Sequence, residues 1–368
     1  MLTLLAHCTF LLLAALPTGG SLFPDLDDVG PASTISAEEK AQVLDSLVEH
    51  LRAEYVFPDV AETIAKAIAE KRAAGAYDSI GDADVFAKRL TEDLQRVSHD
   101  KHLRVRTPDD RPSSDKKRPF PRTDEEFRRR NHGFEKVEIL PGNIGYLDLR
   151  MFARSDLAGD TAAAAMSFLA NADALVIDLR KNGGGQPEMV QLLCSYLFPP
   201  EPVHLNDLYF RPLDETKQYW TLPWVPGPRF LEKDVYVLTS ASTFSGAEEC
   251  AYDLKTQKRA TIVGETTGGG AHPGGNVPLA AGLTVFVPSG RAINPVTKTD
   301  WEGTGVEPDV KVPADLALAT ARELALKKLV EGCKDEGRKA ELADVLADAS
   351  REVASSKAQP AAAAARAK

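Results

Sequence analysis

Cysteine is scarce in this 368-residue chain: four residues, at 8, 194, 250 and 333, with no CxxC pair. That spacing excludes a zinc ribbon and supplies no disulfide framework. Cys194 and Cys250 fall in apolar helical patterns and read as buried thiols. Positive charge is in deficit, since 44 Lys and Arg against 54 Asp and Glu leave a net charge of -10. A surface of that sign argues against nucleic acid as the main partner. No GxGxxG turn is present for a dinucleotide, no glycine loop ends in GKS or GKT for a phosphate, and no HExxH pair offers a zinc site. Nothing in the sequence supports a metal or an organic cofactor. Beyond the N-terminus, no apolar run approaches the roughly 20 residues needed to span a bilayer.

What is present divides the chain. Hydrophobic residues make up 43%, enough for a sizeable core, and the length suggests two domains plus tails. "MLTLLAHCTFLLLAALPTGGS" is apolar from Leu2 to Pro17 and then small and polar. Residues 1–20 read as a secretory signal peptide cleaved near Gly20, although no Lys or Arg precedes the apolar run. Export to the periplasm or the extracellular space follows, with no integral span in the mature chain. Cys8 lies inside the apolar run, so a lipoprotein site is not supported.

Residues 36–106 read as an N-terminal helical domain. Ser36 and Glu39 form a capping box, and Leu44, Leu47, Val48, Leu51 and Tyr55 recur at helical spacing. Pro58 opens a second helix with Ile64 and Ile68 on one face, and Gly75 ends it. Phe86, Leu90, Leu94 and Val97 mark a third, giving a small bundle. Residues 107–133, rich in proline and charge, read as a linker or long surface loop. From 134 to 330, apolar strand candidates ("VEIL", "IGYLDLRMF", "ALVIDLR", "VYVLTS", "TIVGE", "LTVFVP") alternate with helical patterns. That texture predicts an α/β core with partly parallel pairing. Residues 331–368 read as a C-terminal helix and a low-complexity, disordered tail.

Ser245 sits between a buried strand and a helix, a place suited both to a nucleophile and to an ordinary N-cap. Helix-start N–H groups there can hold an oxyanion. "DLRKNGGGQPEM" follows another strand, and three successive glycines let the backbone approach a ligand closely. A reacting serine also needs a proton acceptor. No lysine lies in the glycine loop "VGETTGGGAH", and no histidine adjoins Ser245. His99, His102 and His272 are the candidates, and Glu302 stands beside Trp301 in "DWEGTGVEPDV". A triad is recognised by geometry, so spacing alone leaves the choice open.

Taken together, "YVFPDVA", "VSHDKHLRV", "HGFEKVEILPGNIGYLDLRMF", "VIDLRKNGGG", "LTSASTFSGAEECAYDLK", "VGETTGGGAHPGG" and "DWEGTGVEPDV" resemble the C-terminal processing, tail-specific serine peptidases. The set spans roughly residues 36–325, and its order is highly specific. The branch it resembles most is the one related to interphotoreceptor retinoid-binding protein. The resemblance implies a crotonase-related (ClpP/crotonase-like) α/β core behind an N-terminal helical bundle, here with no PDZ domain. It implies a serine-type peptidase acting on peptide or protein substrates, with oligomers among its larger relatives. Ser245 takes the nucleophile's position. The lysine base of the tail-specific enzymes is replaced by Gly270, which leaves the pattern of the tricorn protease. On that pattern His102 is the base and Glu302, 57 residues after the serine, orients it. Gly246 and one glycine of the 183–185 run, Gly184 by preference, are the expected oxyanion donors, and His272 is an alternative base. The same fold carries apolar ligands such as retinoids or fatty acids in its binding relatives, and the same acyl chemistry would serve an ester hydrolase.

Overall fold

The computed structural model describes residues 34–108 and 123–366, with side chains described as far as residue 355. The segment expected to be a signal peptide and the middle of the charged linker lie outside the described residues. No helix among the described residues is long and apolar enough to cross a membrane.

The bundle forms where helical spacing placed it: α1 (Ala37–Glu54), α2 (Pro58–Ala73) and α3 (Ala83–Ser98). Ser36 caps α1, accepting from the Glu39 N–H at 3.2 Å while its own N–H donates to Glu39 Oε2 at 2.8 Å. The apolar stripes meet in one core of Val43, Leu47, Leu51, Ile64, Phe86, Leu90 and Leu94, all fully buried. Burying a large aliphatic or aromatic side chain stabilises by roughly 1.5–3 kcal/mol, so this stripe holds the bundle together.

A small antiparallel sheet closes one side of the bundle. Its order is β1 (Arg104–Arg106), β10 (Thr284–Pro288), β9 (Gly274–Pro278). Leu283, Val285 and Val287 pack with the bundle core. "LTVFVP", expected in the α/β core, therefore serves the helical domain, because its alternate side chains find their apolar partners there. Antiparallel pairing of β1 with β10 ties the two halves of the chain together.

The α/β core is a six-stranded sheet in the order β12-β8-β7-β4-β3-β2. The strands are β2 (Phe134–Leu140), β3 (Ile144–Leu149), β4 (Ala174–Asp178), β7 (Asp234–Thr239), β8 (Thr261–Gly264) and β12 (Val310–Lys311). Only β2 is antiparallel to its neighbour. Successive side chains point to opposite faces. Leu175, Ile177, Val235 and Val237 pack on one face against α5 (Ser155–Leu169), α6 (Pro187–Ser195) and α7 (Gly246–Thr256). Ala174, Val176, Tyr236 and Leu238 pack on the other against α8 (Ala317–Gly332) and α9 (Glu336–Arg366). Both faces are covered, which is why these strands read as continuous apolar runs. A third sheet, β11 (Gly290–Ile293), β5 (His204–Phe210), β6 (Glu215–Trp220), lies beside the core.

Two expectations are corrected. The end of the linker carries a short helix, α4 (Asp124–Arg129), capped by Thr123. The tail expected to be disordered is helical backbone as far as Arg366, in keeping with the high helix propensity of its alanine run. Among the described residues no PDZ-type unit separates bundle from core.

Candidate active site

The site forms where the exits of β4 and β7 meet. After β7, the Ser240 hydroxyl donates to Arg180 O at 2.6 Å and the Thr243 hydroxyl to Leu179 O at 2.8 Å. The serine-rich turn is thereby bolted to the segment leaving β4. Ser245 follows with φ 54° and ψ -127°, a strained conformation for a residue with a side chain. It is not an ordinary N-cap, which adopts extended φ and ψ. Its N–H donates to Glu248 Oε2 at 2.8 Å.

Glu248 is fully buried. It also accepts from the Thr267 hydroxyl, from Gly269 N at 2.6 Å and from Gly270 N at 2.8 Å. Burial pushes its carboxyl above the usual range, while these donors pull it down. One carboxylate thus fastens the serine turn to the glycine loop 267–270.

The other glycine run packs directly on the serine. A β-carbon at Gly184 would stand 2.7 Å from Ser245 Cβ and 2.8 Å from Gly246 N. Gly184 has φ +105° and Gly185 φ +140°, so only glycine fits both the conformation and the space. Buried Asn182 sets the loop: its amide donates to Leu149 O at 3.0 Å, and its Oδ1 accepts from Gly184 N at 2.8 Å. The Gly184 N–H is therefore committed to Asn182, a correction to its expected oxyanion role. The Gly185 nitrogen faces Gly246, lying 3.2 Å from where a β-carbon on Gly246 would sit.

The bundle delivers the histidine. His99 ends α3 in the left-handed region, φ 57°, and is itself exposed. The chain then turns inward. The His102 ring lies 4.6 Å from the Phe244 ring and 5.5 Å from Phe286, beside the serine turn. Burial lowers the His102 pKa to about 4 and outweighs the opposing charge of Asp100, so the ring is neutral near pH 7. Its Nδ1 is buried without a partner among the described residues.

Glu302 is brought to His272 rather than to His102. His272 Nδ1 lies 3.5 Å from Glu302 Oε2 and is hydrogen-bonded to Asp100 Oδ2 at 2.7 Å. Glu302 Oε2 also accepts from Ala271 N at 2.5 Å, and its Oε1 has no partner among the described residues. Burial, then the Asp100 charge, raises the Glu302 carboxyl to about 7. Burial lowers the His272 pKa, but the bond and charge of Asp100, with Glu302 and Asp300, leave it raised. The direct His102–Glu302 contact expected of a triad is thus not made here, because Glu302 is turned to the Ala271–His272 backbone and ring. Asp100, His272 and Glu302 offer three clustered ligand atoms, but the Asp100–His272 hydrogen bond already satisfies that pair without an ion.

The sequence did not point to Asn182, Glu248 or Asp100. Glu248 carries a faint signal, three residues after Ser245, but that spacing reads as helix capping.

Residues 143–312 match the profile of peptidase family S41. Residues 36–141 match the N-terminal domain of peptidase S41 in eukaryotic IRBP. The chain belongs to peptidase family S41. A putative peptidase from Parabacteroides merdae shares the fold of this S41 chain, with a TM-score of 0.53 and 16% identity over 78% of this chain and 97% of that one. A lipoprotein from Streptococcus agalactiae does so at a TM-score of 0.52 and 13% identity, over 80% and 98%. The photosystem II D1 C-terminal processing protease is 26% identical over 47% of this chain, with a TM-score of 0.39. This chain spans 43% of that protease's length.

Proposed function

We propose that this S41 chain hydrolyses peptide bonds through an acyl-enzyme on Ser245, with His102 as the base. The observation that carries the reading is the strained Ser245 turn, packed on the Gly184–Gly185 backbone and flanked by the neutral His102 ring. His102 accepts the Ser245 proton as Oγ attacks the scissile carbonyl, and returns it to the leaving amine. On this reading the N–H groups of Gly246 and Gly185 would hold the oxyanion, Gly185 replacing Gly184. Losing one such donor typically costs on the order of 100- to 1000-fold in rate. His102 Nδ1 and Glu302 Oε1 are both buried and without partners among the described residues. A buried polar atom normally has one, and both needs are met if the two groups are joined in the acting enzyme. Glu302 would then stabilise the imidazolium.

A peptide library digested by wild type, Ser245→Ala and His102→Ala tests the reading. Cleavage by wild type alone supports it; cleavage surviving Ser245→Ala overturns it. An ester panel run alongside separates peptidase from ester hydrolase.

A second reading rests on a groove of about 900 Å³ between α1 and α2, lined by Leu44, Val48, Ala65, Ile68, Arg52 and Arg72. The apolar floor suits an alkyl or polyene chain; Arg72 is paired with Asp45 and Arg52 with Glu62, and Glu49 also lines the groove, so a ligand carboxylate would have to displace an acid there. None of its lining residues belongs to the Ser245 site, so binding there would survive Ser245→Ala.

A further inference from the structure

Asp100 and His272 meet from opposite sides of the bundle–core boundary. Asp100 lies in the turn after α3, almost fully buried. Its Oδ1 accepts from the His102 backbone N–H at 2.9 Å. Its Oδ2 accepts from His272 Nδ1 at 2.7 Å and from the Tyr55 hydroxyl at 3.3 Å. His272 comes from the core, two residues past Gly270, and its ring meets Phe57 of the bundle edge-on at 5.3 Å. Lys101 adds a second tie across the boundary, donating to Gly268 O at 2.5 Å. The residues flanking and carrying His102 are thus pinned by side chain and by backbone.

We infer that His272 is a positioning residue for the reaction: through Asp100 it fixes the backbone that carries His102, and through Glu302 it fixes the acidic side of the site. The inference rests on the serine-peptidase reading and deepens it. His272 does not contact the serine turn as His102 does. Its Nδ1 is engaged by two acids, and the ring that packs against Phe244, the neighbour of Ser245, is that of His102. Removing His272 takes the imidazole from buried Asp100 and leaves it the Tyr55 hydroxyl and the His102 N–H, and breaking one side of such a pair is costly. The His102 turn is then held to the core by the Lys101–Gly268 bond without the Asp100–His272 bond, and a misplacement of about 1 Å can cost on the order of 100-fold in rate.

The titratable groups facing His272 are Asp100 and Tyr55 from the bundle and Glu302 and Asp300 from the core, with His102 alongside. The His272 charge favours ionised Glu302. Replacing the histidine with a neutral residue must therefore move the ionisation of Glu302 to higher pH, which a purely structural role would not do.

The test uses the full chain and a fluorophosphonate probe. Ser245 Oγ forms a bond to phosphorus, fluoride leaves, and the hydroxyl proton passes to the base. Labelling is timed by intact mass over a range of pH, with thermal melts as the folding control. We expect His102→Ala to abolish labelling and His272→Leu to slow it about 100-fold. His272→Asn, whose amide N–H still reaches for Asp100, should recover most of the rate with its acid limb moved to higher pH. Wild-type labelling rate and pH profile in His272→Leu, with His102→Ala silent, overturn the inference alone. Failure of a folded His272→Asn to recover any rate makes His272 a proton acceptor and also overturns it. Where His272→Leu does not fold, an unmoved acid limb in His272→Asn is the overturning result. An unlabelled wild type sinks the serine reading itself, and the inference with it.

Discussion

The Cε1 atom of His102 lies 2.6 Å from the point where a β-carbon on residue 270 would stand. The Phe244 ring is closer still, at 2.3 Å. Residue 270 is where the resemblance to the tail-specific enzymes would put a lysine base. Here that space is filled by the imidazole and the phenyl ring, so the glycine is a condition of the histidine's presence. Gly270→Ala should destabilise the protein by about 1–3 kcal/mol through overpacking. Its activity should fall by more than the loss of folded protein explains, because His102 and the Phe244 ring beside Ser245 are what must move. Urea melts beside kcat/KM check this. Gly270→Lys should not restore cleavage to His102→Ala; rescue would show that the loop opens to admit a lysine.

His99 and His102 are three residues apart and could exchange roles on sequence grounds. The structure separates them: His99 is an exposed helix end in the left-handed region, and His102 packs against the Phe244 and Phe286 rings. His102→Ala should lower kcat/KM on the order of 100- to 10,000-fold, the usual contribution of a general base. His99→Asn keeps a residue that tolerates positive φ and should leave the peptide-cleavage rate unchanged. A loss in His99→Asn comparable with that in His102→Ala would reverse the assignment.

Asn182 controls how the glycine run meets the serine. Its side chain is fully buried, and bonds to Leu149 O and Gly184 N are its ties to β3 and to the loop. Asn182→Ala strands both groups in the interior, which should cost about 1–3 kcal/mol. The loop would also lose the turn that presents the Gly185 N–H to the serine, so kcat should fall while KM changes little. A variant with reduced stability and normal kcat would limit Asn182 to a structural part.

Much of the fold was legible because burial leaves a period. The bundle was marked by a capping box and stripes such as Leu44, Leu47 and Leu51. The central strands were marked by apolar runs that only a doubly covered sheet produces. Strands β5 and β6 were not legible: "HLNDLYF" puts polar His204, Asn206 and Asp207 at buried or half-buried positions, and "ETKQYW" is solvated at all but Tyr219. Nor was the allegiance of "LTVFVP" to the bundle, because a period encodes a face and not a partner. The same limit applies to the site. Ser245 and the glycine run announce themselves locally. Asp100 reads as an ordinary turn residue, and its bond to His272 spans 172 positions, which only the docking of bundle on core brings together.

The pH dependence separates the roles of Glu302 and His102. Glu302 is held near 7 in the folded chain against an ordinary 4.5, by burial and then by Asp100, with Asp300 in the same sense and His272 opposing. Its raised value favours the folded state while it is protonated. That stabilisation is complete below about 4.5 and is lost as pH rises to about 7, above which it changes no further. His102 runs the other way. Burial drops it to about 4 from 6.5, with His272, Arg104 and Arg106 adding to the fall and Asp100 resisting it. Its contribution is complete above about 6.5 and is lost as pH falls towards 4. Thermal melts of Glu302→Gln against wild type should therefore diverge between those limits, the variant showing less decline towards neutral pH. For catalysis the neutral His102 is available from about pH 4 upward, so it does not set the acid limb. If ionised Glu302 supports the imidazolium, kcat/KM rises through about pH 7 and Glu302→Gln is slow at every pH with that limb removed. A wild-type rate that rises near pH 4 and is flat thereafter would give His102 the acid limb and take Glu302 out of the reaction.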